Sequence, residues 1–166
     1  MNATFYLAAG VALVSTAMVI TRVNAVHALL YLVVSLLAVA LVFYVLGAPF
    51  AAALEVIVYA GAIVVLFVFV VMMLDLGKDA TVRDKPWLAP RAWLGPTVLS
   101  LVLAAELGYV LAVAAPGAAQ VEHIVDAKQV GIVLFGPYLL AVELASLLLL
   151  AALVGAYHVG RRLEGG

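Results

Sequence analysis

The sequence predicts an all-α integral membrane protein, a bundle of five transmembrane helices whose third member is long. Three observations lead there. Of 166 residues, 69% are hydrophobic and 10% charged, with a mean hydropathy of +1.31. That exceeds the apolar content of an ordinary soluble domain, so lipid must cover most of the surface. The apolar residues are gathered into runs of about 20, the length a helix needs to cross a hydrocarbon core of about 30 Å. No run alternates as a barrel strand would, and helices satisfy their own backbone hydrogen bonds in lipid.

Each span follows from its boundaries. Residues 3–21 are uncharged, and no positive segment precedes them as in a signal peptide, so this first span is expected to be retained. Residues 25–46 follow Arg22 and stop at the breaker Gly47-Ala48-Pro49. The third span covers 51–76. A charged loop, GKDATVRDKPWLAPR (77–91), separates it from the fourth span, 92–114. A milder loop, 115–133, leads to the fifth, 134–158. No internal repeat or second domain is visible, and residues 1–166 read as a single membrane domain.

Orientation follows from the cations. With odd-numbered helices running inward, one face collects Arg22, Lys78, Arg83, Lys85, Arg91, Arg161 and Arg162, and the other only Lys128. The positive-inside rule therefore places the N-terminus outside and the C-terminus in the cytoplasm. Trp87 and Trp93 flank the inner loop as an interfacial belt would. The net charge of −1 says nothing of partners. Cysteine is absent, which excludes disulfides and thiolate metal sites, and His27, His123 and His158 are too scattered to suggest a ligand cluster.

Acids inside spans are the candidate functional residues, because a carboxylate at mid-depth costs roughly 2.5 to 3.5 kcal/mol to insert. Glu55, Glu106 and Glu143 qualify. Glu143 lies nine residues into the fifth span, about 14 Å along its axis, and is expected near the bilayer centre. Each acid either serves proton transfer or is a structural acid hydrogen-bonded to backbone or to a neighbouring subunit. Asp75, beside Lys78, reads as a boundary charge.

The third span departs from a regular helix in three ways. Its 26 residues would reach about 39 Å as an unbroken α-helix, so it must tilt, protrude or contain an irregularity. Gly61 stands among β-branched neighbours, Val56, Ile57, Val58, Ile63, Val64 and Val65, which weaken the preference for unbroken α-helix. Glu55 and Tyr59 are spaced i, i+4 and share a helix face, so a carboxylate and a phenol can line one cleft.

At this stretch, VIVYAGAIVVLFVFVVMMLDL, the chain resembles the J-type membrane subunit of respiratory complex I (NADH:quinone oxidoreductase), counterpart of mitochondrial NADH dehydrogenase subunit 6. The likeness extends over the five spans and the run NAVHALLYLVVSLLAVALVFYVLGAPFAAALEVIVYAG. It implies a π-bulge near Tyr59 and Gly61, and a hydrated path bordered by Tyr59 running from the quinone-cavity side toward antiporter-like subunits. It further implies that NADH, FMN, iron–sulfur clusters and quinone are held by partner subunits, with no redox centre in this chain. The implied partners are the quinone-site subunit, small membrane subunits and antiporter-like subunits, within lipid of the bacterial inner membrane and without nucleic acid.

On that reading Glu55, Tyr59, Glu106 and Glu143 are proton-path candidates. Gly61, Val65 and Phe69 form the helix switch, because a change of one residue's winding rotates everything beyond it by about 100°. A related subunit of a multisubunit cation/proton antiporter or membrane-bound hydrogenase, a small free-standing transporter and a structural membrane spacer remain alternatives. The transporter lacks support from inverted repeats or paired broken helices.

Overall fold

The computed structural model describes residues 3–74, 90–113 and 124–162. Five helices are long and apolar enough to cross a membrane: Ala3–Thr21, Ala25–Val45, Pro49–Met73, Trp93–Ala112 and Leu139–Arg161. The described residues contain no strand. The charged loop after the third span, with Asp75, Lys78 and Trp87, lies outside the described residues. The chain divides into two compact units, one ending at Ile124 and the other beginning at Val125.

In the first unit, α1 (Ala3–Thr21) and α2 (Ala25–Val45) form a hairpin. Asn24 turns the chain: its side-chain oxygen accepts from the backbone N–H groups of Val26 at 2.9 Å and His27 at 3.3 Å, capping α2. Small residues let the two helices approach. Ala8, Val11 and Ser15, spaced 3 and 4 apart on α1, are buried, as are Val34, Ser35, Ala38 and Leu41 on α2. A polar stitch crosses the seam, where Thr16 donates to the Ala12 carbonyl at 2.8 Å and accepts from the Ser35 hydroxyl at 2.7 Å, with the Ala12 carbonyl 3.3 Å from the Ser35 oxygen.

α2 ends in a Schellman motif. The Gly47 N–H donates to Tyr44 and the Ala48 N–H to Phe43, both at 3.0 Å, with Gly47 at φ 85°. The third span starts on Pro49, whose missing N–H is harmless in a first helical turn. The sequence reading counted Pro49 with the breaker and began at 51. α3 (Pro49–Leu54) passes without interruption into a π-helical segment, Glu55–Ile63, and on into α4 (Val64–Leu74).

α5 (Pro90–Val113) lies against α1 and α2. Leu103 joins the core of Ala8, Val11, Val34, Ala38 and Leu41, with Leu99 and Val110 packed at its edge. Nearer the start of α5, Gly95 faces Tyr31 so closely that a Cβ there would fall on the phenol oxygen. The Arg22 guanidinium sits 5.4 Å from the centre of the same ring, so Tyr31 ties together the adjoining ends of α1, α2 and α5.

The second unit holds α6 (Ala127–Leu134) and α7 (Leu139–Arg162). The Asp126 carboxylate caps α6 by accepting from the Gln129 N–H at 2.8 Å. Phe135–Tyr138 form a turn around Gly136, where a Cβ would stand 2.7 Å from the Ile132 carbonyl oxygen. The turn is the difference from the sequence reading, which ran the fifth span from 134. Gly136-Pro137 breaks the helix there, and the long helix begins at Leu139.

Candidate functional site

The π-segment is where the backbone departs from regular helix. The Val64 N–H donates to the carbonyl of Tyr59, five residues back, so one extra residue is wound into the turn that carries Tyr59 and Gly61. Gly61 eases this winding. A Cβ at that position would lie 3.2 Å from the Val56 carbonyl oxygen, again five residues back, a separation tighter than most side chains accept.

The segment presents its chemistry outward. Tyr59 is 50% exposed and Glu55 half-buried, and neither side chain has a hydrogen-bond or ionic partner among the described residues. Within the span only Ala52 and Val64 are buried. Val65, Phe69 and Met72, spaced 4 and 3 apart, are exposed on one side of α4. Tyr59, Glu55 and Gly61 therefore occupy one short stretch, and Val65 and Phe69 follow it directly.

The other two acids are placed differently. Glu106 is buried at 8% exposure, and both its carboxylate oxygens lack a partner. It stands 3 residues from Leu103 and 4 from Val110, on the face of α5 that meets the apolar α1–α2 core. Glu143 is the fifth residue of α7, about 6 Å along the helix rather than the 14 Å expected from a start at 134. It is exposed.

Beside Val56, an apolar recess of about 480 Å3 opens between α2, α3 and α5. Ala40, Ala52, Ala53 and Ala104 hollow it out, and Tyr44 and Ser100 supply its hydroxyls. Neither Glu55 nor Tyr59 lines it. No local sequence pattern marks this recess, which arises because alanines from separate helices face one another.

Residues 15–159 match the family model for NADH-ubiquinone/plastoquinone oxidoreductase chain 6. The chain belongs to that family. Its relatives include NADH-quinone oxidoreductase subunit J of Pseudomonas aeruginosa, 62% identical over 162 residues that cover 98% of both chains. The subunit J of Escherichia coli K12 is 54% identical over 167 residues, covering all of this chain and 90% of its own. That of Buchnera aphidicola subsp. Schizaphis graminum is 50% identical over 161 residues, covering 97% of this chain and 98% of its own. The family is that of a multi-pass membrane subunit within an NADH-quinone oxidoreductase complex.

Proposed function

We propose that this subunit couples quinone reduction, carried out with NADH, FMN and iron–sulfur clusters on partner subunits, to proton translocation in the bacterial inner membrane. Its own part is a hydrated path bordered by Glu55 and Tyr59 and gated by rewinding of the third span. The N-terminus is placed outside and the C-terminus in the cytoplasm, a reading supported by the seven-to-one cation asymmetry.

One observation carries this reading: nine consecutive π-helical residues, Glu55–Ile63, contain the acid, the phenol and the glycine. Such segments are found frequently at functional sites. Loss of the extra residue's winding would rotate α4 by about 100°. Ile63, the residue four after Tyr59, would then take the buried seat of Val64, and Val65, Phe69 and Met72 would swing to a new face. In one state bulky side chains dry the path. In the other, the Tyr59 hydroxyl, which both donates and accepts, passes a proton along a water chain that Glu55 receives.

Glu106, on the face of α5 that meets the apolar α1–α2 core, and Glu143, on α7, remain further candidates for proton transfer, tested by replacing each with Gln. A cation/proton antiporter subunit would use the same segment without NADH, so quinone reduction by NADH in the purified assembly separates the two readings.

The test is Tyr59→Phe in the assembled complex. Removing only the hydroxyl should lower both NADH:quinone turnover and proton yield at unchanged assembly. Wild-type turnover and yield would reject the path. Topology is checked apart from it: a reporter fused after Gly166 should be cytoplasmic, and one near Gly117 exported.

A further inference from the structure

The recess between α2, α3 and α5 reaches the same depth on all three sides. Its lining runs from Leu37 to Tyr44 on α2, from Pro49 to Val56 on the third span and from Ser100 to Leu107 on α5. Each stretch is a rise of seven residues, about 10.5 Å. Tyr44 stands one residue before the end of α2, and Pro49 opens the third span, so the recess starts where these helices reach the membrane surface. From there it descends about 10.5 Å into a hydrocarbon core about 30 Å thick and stays within one leaflet.

The lining is that of a slot for hydrocarbon. Ala40 and Ala52 are buried at its floor, beneath the more exposed Leu37, Val56 and Leu107. No Lys, Arg, Asp or Glu lines it, so nothing there would compensate a charged ligand. Its volume of about 480 Å3 falls within the roughly 300 to 1,000 Å3 of small-molecule sites. A membrane-spanning helix, of this chain or of another, has the wrong length. It runs through the whole core of about 30 Å and would need a seat continuing past Leu37 and Ser100, where the lining stops. A lipid tail enters from the surface and ends inside its own leaflet. The Tyr44 hydroxyl belongs to the mouth, at the interfacial level where tyrosines are enriched in membrane proteins.

We propose that this recess is a binding site for one acyl chain of a phospholipid, drawn from the leaflet at which α2 ends, with Tyr44 beside the lipid's ester groups. The chain packs along Ala40, Ala52 and Ala104 and reaches Val56, the second residue of the π-segment. It supplies the contacts that these alanines would lack beside an empty slot. The proposal does not depend on rewinding of the third span.

The test uses purified complex in nanodiscs of phosphatidylcholine that carries a photoreactive diazirine in one acyl chain. After irradiation and digestion, label should concentrate on residues 52–56 and 104–107. Ala104→Phe fills the recess from α5 and should lower that label at least about tenfold, with label on the other subunits unchanged. Ala53→Phe fills it from the third span and should do the same. If neither variant assembles, exchange in wild type decides: on transfer to unlabelled nanodiscs, the lipid in the recess should leave at least about tenfold more slowly than the remainder. Absence of label at the recess, as a covering helix would give, overturns the proposal. So does label no stronger and no slower to exchange than elsewhere, which means annular lipid only. Displacement by excess long-chain quinone would assign the slot to an isoprenoid tail and overturn its assignment to a phospholipid. No readout depends on turnover, so failure here leaves the Tyr59 test standing.

Discussion

Gly95→Ala is expected to loosen the first unit through a single contact. The new methyl group would occupy the place of the Tyr31 hydroxyl and stand 3.1 Å from the ring carbon that bears it. Tyr31 is 4% exposed and has the Arg22 guanidinium over its ring, so the phenol has little room to move aside. Overpacking of this kind costs about 1 to 3 kcal/mol, or roughly 5- to 150-fold in an equilibrium constant. Membrane complexes come apart irreversibly, so the assay is the half-life of the subunit in the complex at a fixed raised temperature. Gly95→Ala should shorten it by at least about fivefold. Tyr31→Phe removes the atom that the methyl meets first and leaves the 3.1 Å approach to the ring, so the double variant should recover part of the lost half-life, with a coupling of about 1 kcal/mol or more. A Gly95→Ala complex as durable as wild type would refute the packing argument, as would a double variant no better than Gly95→Ala.

Other changes act through equally specific contacts. Asn24→Ala removes the cap of α2 and should cost about 1 kcal/mol, read as a lower midpoint in thermal release of the subunit. Ser35→Ala breaks the stitch to Thr16, which keeps its own 2.8 Å bond to the Ala12 carbonyl; the loss should be near 0.6 kcal/mol, about the average for hydrogen bonds between membrane helices, in the same assay. Gly61→Ala favours regular helix by about 0.8 to 1 kcal/mol and crowds the Val56 carbonyl, so NADH:quinone turnover should fall severalfold in fully assembled enzyme.

The spans were legible because lipid imposes a length and a composition that few other structures satisfy. The irregular third helix was legible too, from its excess length, Gly61 and the β-branched residues around it. The nine-residue extent of the π-segment was not, since a sequence shows where winding is cheap and not how far it spreads. The start of the fifth span was misplaced because the apolar run continues through Leu134 and Phe135 and hides the break at Gly136-Pro137. That error moved Glu143 from an expected central depth to the first turns of its helix. The burial of Glu106 and the notch between Gly95 and Tyr31 depend on which faces of distant helices meet, and no local pattern records that.

The central claim is that the third span changes its winding during turnover. The direct measurement is cryo-electron microscopy of the assembled complex at rest and under NADH and quinone, at a resolution that shows the backbone of residues 55–65. The account predicts two populations. In one the Val64 N–H reaches the Tyr59 carbonyl with Val64 buried, as in the present structure. In the other it reaches the Ala60 carbonyl, four residues back, and Ile63 occupies the buried seat. A single winding in every state, with Val64 bonded to Tyr59 throughout, would contradict it.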